Sequence, residues 1–542
     1  MPVLPNAGVP FGGAQLTRRG FIAAGITGGF ALAGCGQSNT NATSSSVRMA
    51  AAINAAEAAR PHSGHTVTAN LTAHPVQIDL GGPVVHTLAY GDTIPGPLIR
   101  ANIGDELVVT VSNRLDTPTS LHWHGIALRN DMDGAAPATL NIDAGEDFTY
   151  RFSAPNSGTY WGHPHVGLEE DMGLYLPVII DDPNESAYDA EWIVVMDDWT
   201  DGVGKSPRQL YDALTAPKSS APNVPPAPST TTKPPARTRT PAAPKTTKTQ
   251  PTSTTGMPGM PSAPAPAGTV GTSKLLGGDA GDIAYPYYLI NGRIPNAPTT
   301  FHAKPGQRIR IRFINTGSDT AFRVALGGHS MTVTHTDGYP VVPTRVDALL
   351  IGMAERYDVI VTADDGVFPL IALAEGKNAQ ARALLSTAAG SPPDPVFQPA
   401  ELNKLVGTID MFTAAASVNL GPAEPGLNLP VVLGGDMAKY EWTINGEPYS
   451  RTNPLHARLG QRPTITFDNT TMMYHPIHLH GHTFQMIKAD GSPGARKDTV
   501  IVLPRQKSTA VLVADNPGLW QMHCHNTYHQ AAGMQTLLDY EF

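Results

Sequence analysis

The chain has 542 residues, 41% of them apolar, and a formal net charge of −9. At roughly 100–200 residues per domain that length allows about three domains, and the negative charge gives no reason to expect a nucleic-acid partner. The only cysteines are Cys35 and Cys524. Each has another role in the reading below, which excludes a disulfide framework.

In chain order, the first segment reads as an export signal. Thr17-Arg18-Arg19-Gly20-Phe21 is a twin-arginine pattern followed by an apolar run from Phe21 to Gly34. The run is too short to span a bilayer and suits a signal core. It ends in Leu32-Ala33-Gly34-Cys35, which resembles a bacterial lipobox. That resemblance implies a lipid on Cys35 and retention at the outer face of the cytoplasmic membrane, in the cell envelope. An ordinary cleaved signal with a chance cysteine is the alternative. Residues 1–35 are therefore assigned to the signal, and the polar, Ala-rich stretch 36–64 to a tether.

Beyond residue 65, short runs rich in Val, Ile and Thr alternate with Gly, Pro and Asn. Glu106–Val111 (ELVVTV) and Arg308–Phe313 (RIRIRF) are examples, and such runs predict β-sandwiches. The chain also repeats itself. Arg100–Gly125, His302–Gly327 and His456–Gly481 match one another, with nine residues from Gly104 to Asn113, Gly306 to Asn315 and Gly460 to Asn469. Equal steps further on lie His122 and His124 in the first copy, His478 and His480 in the third, but Val324 and Leu326 in the second. A second element repeats as well. Five residues after Gly158 comes His163-Pro164-His165, and five after Gly518 comes His523-Cys524-His525. In the middle copy Gly366 leads to Ile371-Ala372-Leu373. One sandwich in three copies is the simplest account, with domains at 65–183, 184–390 and 391–542.

The middle copy is interrupted at 216–273 by a Pro-, Thr-, Ala- and Ser-rich stretch without Asp or Glu. Such a composition cannot build a core and reads as a disordered insertion. Its Lys218, Lys233, Arg237, Arg239, Lys245 and Lys248 make it either a solvated spacer or a contact for anionic lipid or wall polymer. Met257 and Met260 could bind Cu(I) through soft thioethers.

Ten of the 19 histidines fall in four clusters: His122 and His124; His163 and His165; His475, His478 and His480; His523, His525 and His529. Imidazole is a ligand for copper, zinc and iron. In a strand, residues i and i+2 share a face, so each HxH pair presents two imidazoles together. Eight of them (His122, His124, His163, His165, His478, His480, His523 and His525) suit three metal ions with two or three ligands each. Cys524 lies between His523 and His525 and points the other way. With His475, His529 and Met534 it describes a blue-copper electron-transfer site, one residue away from the eight-histidine set.

HWHG, HPH, HPIHLHGH and HCHNTYHQAAGM resemble, in order, the four copper signatures of the three-domain multicopper oxidases. The resemblance spans about residues 65–542 outside the insertion. It implies an all-β fold of three cupredoxin-like Greek-key β-sandwich domains that hold four copper ions. Type 1 copper falls to His475, Cys524, His529 and Met534, and type 2 to His122 and His478. The type 3 pair falls to His124, His163, His165, His480, His523 and His525. The acceptor implied is O2, reduced to water. Asp133, in Asp131-Met132-Asp133-Gly134, matches an aspartate that the family uses for proton relay; a plain turn residue before glycine is the alternative. Gln530 stands where some copper-efflux members carry Glu, and it cannot donate a proton as an acid.

The electron donor is less legible. The candidates are Cu(I), giving copper detoxification outside the cell, and small phenols or aromatic amines, giving a laccase. Fe(II) and Mn(II) stay open. A non-enzymatic copper-binding lipoprotein would be marked by a missing ligand, and none is missing. A two-domain nitrite-reducing copper enzyme would not hold eight such histidines in one chain. The methionine axial ligand favours Cu(I) with accessory phenol oxidation. Met472 and Met473, just ahead of His475, either add thioethers near that site or pack the core.

Overall fold

The computed structural model describes residues 39–185, 187–217 and 270–541. The signal with Cys35, and nearly all of the insertion with Met257 and Met260, lie outside these residues. Among the described residues no helix is long and apolar enough to cross a membrane.

Each repeat folds into two sheets that enclose an apolar core, and all three are wired alike. In the first, strand Thr66–Asp79 runs parallel to Glu106–Asn113 and antiparallel to Val84–Tyr90, and Asp147–Ser153 completes the sheet. The same parallel pairing joins Ala190–Trp199 to Arg308–Asn315 in the second copy and Asn428–Asp436 to Thr464–Asn469 in the third. The long connections between these parallel neighbours carry the chain to the opposite sheet and back, which gives the sandwiches their crossed topology. The repeated asparagine has a physical reason. Asn113 Nδ2 donates to the carbonyls of Thr117 and Ile142, Asn315 Nδ2 to those of Thr320 and Ile351, and Asn469 Nδ2 to those of Met473 and Val502. Each asparagine is buried, and each ties a strand end to the loop that carries the next functional strand.

Three features differ from the sequence reading. The expected tether contains helix α1 (Asn39–Ala58), and its end is docked. Ile53 is buried and Glu57 accepts the Ser153 amide at 2.9 Å. Arg60, just beyond, donates to the Ala127 carbonyl in the first domain and to Asn516 in the third. Secondly, the middle sheet extends past residue 390, because Val406–Gly407 pairs with Ala348–Ile351. Thirdly, the middle copy's strand register is shifted by one: Val324 faces Ala372, whereas His122 faces His163 and His478 faces His523. The strand expected at RIRIRF is present within Arg308–Asn315, and its charged residues are not all at the surface. Arg310 and Arg312 are buried against Asp358, with Glu185 and Glu191 at the rim, where the first and second domains meet.

Candidate metal centres

The histidine strands lie where the first and third domains meet. Strand His122–His124 pairs with Gly158–His163, and strand His475–Leu479 pairs with Leu519–Cys524. Across the domain boundary His122 stacks on His480 and His124 on His478, each pair with centroids 3.7 Å apart. His163 meets His525 at 5.1 Å and His165 meets His523 at 4.8 Å. All eight predicted imidazoles thus converge on one enclosed space, seven of them buried and His165 half-buried.

Accounting for the ring nitrogens shows which edge faces inward. His122 Nδ1 donates to the Asp133 carbonyl and His478 Nδ1 to the Asp498 carbonyl. His163 and His523 use Nδ1 on the carbonyls of Pro164 and Cys524. His480 Nδ1 binds the Asp133 carboxylate at 2.9 Å, and His165 Nδ1 meets the Gln530 amide at 3.2 Å. His124 is turned the other way, with Nε2 on Asp498 and Thr499. The inward nitrogens then face one another: His124 Nδ1 and His163 Nε2 at 3.4 Å, His480 Nε2 and His523 Nε2 at 3.1 Å. Nε2 of His122, His165, His478 and His525 is buried without any partner. Burial first, and mutual repulsion second, hold His124, His163, His165, His480, His523 and His525 well below the usual imidazole pKa. Neutral lone pairs pointed at one another in a dry space are unfavourable unless cations lie between them. The donor set therefore fits metal ions.

A second set lies beside it. His475 Nδ1 and His529 Nδ1 are 3.1 Å apart, and Cys524 Sγ is 3.7 Å from each. All three are fully buried. Thr471 holds His475 Nε2 at 2.8 Å and Asp282 holds His529 Nε2 at 3.0 Å, which turns both Nδ1 atoms toward the sulfur. The Asn526 amide donates to Cys524 Sγ at 3.4 Å. Met534 is buried in the same core, and its carbonyl accepts the Cys524 amide at 3.0 Å. Burial pushes the Cys524 thiol well above its usual range, so a soft cation is needed to draw out the thiolate. The two flanking methionines separate: Met473 is in the core, while Met472 is 64% exposed with its sulfur accepting from Arg505.

Acidic groups surround both sets. Asp133 ends the 3-10 turn Asn130–Met132, and its carboxylate lies between His122 Nδ1 (3.2 Å) and His480 Nδ1 (2.9 Å). Gly134 permits this, because its φ is +83° and a Cβ there would lie 1.7 Å from the Leu121 carbonyl. Three further acids carry no local sequence signal. Asp498 faces His124 from the opposite side of the cage. Burial would raise its pKa, but the Arg356 guanidinium outweighs that and holds the carboxyl below the usual range. Glu170 Oε2 is 3.0 Å from His163 Nδ1 and Oε1 is 3.7 Å from His525 Nδ1; burial and then Asp197 and Asp198 push its pKa well up. Asp282 accepts from His529 and, at 2.7 Å, from the Tyr440 hydroxyl. Those bonds overcome its burial and hold it charged. A cavity of about 420 Å³ reaches His165, Glu170 and Gln530 from outside, beneath helix α2 (Pro207–Thr215).

Three cupredoxin-type sandwiches with two buried His and Cys constellations define a multicopper oxidase. Family models described as multicopper oxidase match residues 72–185, 190–390 and 424–541, and the chain belongs to that family. It is 68% identical to the multicopper oxidase MmcO of Mycobacterium tuberculosis over 541 residues, covering 100% of both chains. It is 29% identical to the copper resistance protein A homolog of Pseudomonas syringae pv. tomato, over 86% of this chain and 91% of that one. The laccase of Botrytis aclada shares the fold, with a TM-score of 0.66 and 23% identity over 89% of each chain.

Proposed function

We propose that this multicopper oxidase is exported, anchored through a lipid on Cys35 at the outer face of the cytoplasmic membrane, and oxidises Cu(I) while reducing O2 to water. Small phenols and aromatic amines are accessory donors, and the physiological effect is copper detoxification. His475, Cys524, His529 and Met534 would hold type 1 copper, His122 and His478 type 2, and the remaining six histidines the type 3 pair. Copper bound there supplies one-electron redox chemistry and O2 reduction.

The chain's own residues do the rest. His523-Cys524-His525 is the shortest covalent bridge between the two ligand sets and provides the route for electrons. Asp133, between two cage histidines, is placed to pass protons inward. Gln530 cannot, although its amide orients His165. The observation that carries Cu(I) as donor is Asp282. Its carboxylate lies on the outward nitrogen of His529, where a negative charge attracts a cationic donor and discriminates against a phenolate. Relatives named for copper resistance agree with this reading.

The test is O2 uptake by the copper-loaded protein with Cu(I) or a simple phenol as sole donor. Cu(I) should be the faster donor, and Cys524→Ser should abolish both activities. Asp282→Asn should slow Cu(I) oxidation about 10-fold while changing phenol oxidation by less than about 3-fold. Faster uptake with the phenol, unaffected by Asp282→Asn, would make this a laccase.

A further inference from the structure

The middle repeat carries aliphatic residues at the positions where both outer repeats carry histidines, yet two of its side chains, Asp337 and Arg356, hold the segment Asp498-Thr499 behind the eight-histidine cage. Asp337 accepts the amides of both residues at 3.1 Å, and Arg356 grips the Asp498 carboxylate. Arg356 opens strand Arg356–Thr362 and is completely buried. Its Nη1 and Nη2 donate to the two carboxylate oxygens of Asp498, in the third domain, at 2.8 and 2.6 Å. Its Nε donates to the Thr159 carbonyl in the first domain at 3.0 Å. One guanidinium therefore touches all three domains.

Asp498 passes that constraint on. Its Oδ1 lies 3.2 Å from His124 Nε2 and accepts the Thr499 hydroxyl at 2.8 Å. Thr499 Oγ1 is 3.1 Å from His478 Nδ1, and the Asp498 carbonyl accepts from that same nitrogen at 3.0 Å. His124 is the cage histidine that turns Nδ1 inward. That orientation needs an acceptor at Nε2, and Asp498 with Thr499 is the one present. A half-turn of the ring about Cβ–Cγ would put Cδ2 in the place of Nδ1 and Cε1 in the place of Nε2, losing the bond to Asp498 and withdrawing the ligand atom. Asp133 occupies the matching place on the other side of the cage, against His122 and His480, but among the described residues it has no arginine or lysine partner. The two aspartates are thus alike in position and unlike in their partners.

We propose that Arg356 is a positioning residue for the trinuclear centre: by gripping both oxygens of Asp498 it fixes the ring orientation of His124 and the seat of His478. The inference rests on the copper assignment proposed above. A planar guanidinium has one bidentate geometry on a carboxylate, which an ammonium cannot reproduce.

The experiment uses the full chain, copper-loaded, as wild type, Arg356→Lys, Arg356→Gln, Asp498→Asn and Arg356→Gln/Asp498→Asn. The readouts are copper per chain, the blue type 1 absorption, the type 2 paramagnetic resonance signal and resistance of the copper to a chelator. Both Arg356 variants should keep the blue band, lose or distort the type 2 signal, and retain cage copper about 10- to 100-fold less well. Asp498→Asn should do the same, and adding Arg356→Gln to it should change nothing more. The double variant removes both buried charges together, so it separates a folding defect from a positioning one. Full copper with an unaltered type 2 signal in Arg356→Lys and Arg356→Gln would overturn the proposal. So would equal loss of both copper types in every variant, which is the mark of a purely structural tie. Wild-type protein that binds no such copper set would instead refute the copper assignment.

Discussion

Glu169 starts the 3-10 turn Glu169–Met172 and places its carboxylate on the hydroxyls of Thr119 and Thr117, at 2.6 and 3.3 Å. Those bonds favour the charge, but burial dominates and raises the pKa from 4.5 to about 7. The sign follows from proton counting. Between these two values the folded chain keeps a proton that the unfolded chain has released, so stability falls as pH rises through that window and levels off above it. The penalty is at most about 3 kcal/mol. Glu169→Gln is expected to remove this part of the slope and to be the more stable protein above about pH 7. Denaturant melts of the two metal-free proteins across that range check it, because other buried acids cancel in the difference. Residues of this kind show where sequence reading stops. His122 and His124, or His523 and His525, announce themselves by a two-residue spacing that a strand converts into one face. Asp498, Asp282 and Glu170 meet their histidines only through tertiary packing, His124 being 374 positions from Asp498. No local pattern marks such a contact. Asp133 was visible only through the family resemblance, which places an aspartate shortly after the first histidine pair; its position before Gly134 alone would have read as a plain turn.

Helix α3 (Thr527–Ala531) illustrates the same limit for an element. Its five residues are too few to be stable alone, and its place is set by Asn526. The Asn526 side-chain oxygen accepts from the amides of Tyr528 and His529 at 3.1 Å each, and Nδ2 donates to Asp319 of the middle domain at 2.6 Å. Asp319 is itself held by the buried Lys377 at 2.6 Å. One cap residue thus fixes the helix that carries His529, while its backbone amide bonds the Cys524 sulfur. Asn526→Ala is expected to cost about 1–2 kcal/mol of stability through the lost cap. It should also shift or broaden the blue absorption, because His529 is no longer fixed relative to Cys524. The type 2 resonance should stay unchanged, which thermal melts and the two spectra together would establish. The HCHNTYH spacing pointed to this site, but not to the helix or to the buried Lys377 and Asp319 behind it. Helix α1 was missed for the converse reason. An Ala- and Ser-rich stretch has little amphipathic pattern, and its docking depends on single contacts such as Glu57 with Ser153.

Across the whole molecule, the ligands of the proposed trinuclear site would come from domains one and three, so copper bound there would act as a cross-domain staple. A ligand that binds only the folded state stabilises it by about 4 kcal/mol when present at about 1,000 times its dissociation constant. On the proposed assignment that energy would fall on the seam between two domains. The seam is not left to metal alone. Asn130 donates to the Leu519 carbonyl and Asn516 to the Leu128 carbonyl, each at 2.9 Å, and Gln521 donates to the Ala136 carbonyl. Arg356 adds the middle domain to the same junction. With these ties in place the metal-free protein should remain assembled and unfold cooperatively, at a lower temperature than the copper-loaded form. Cys524→Ser should keep most of the copper-dependent gain, because the cage histidines are intact, whereas His478→Ala should lose most of it. Calorimetry of the loaded and chelator-treated proteins distinguishes the possibilities. A single transition that moves down on chelation fits a pre-assembled cage. Two separated transitions after chelation would mean that copper, rather than Arg356 and the asparagine ties, brings the outer domains together.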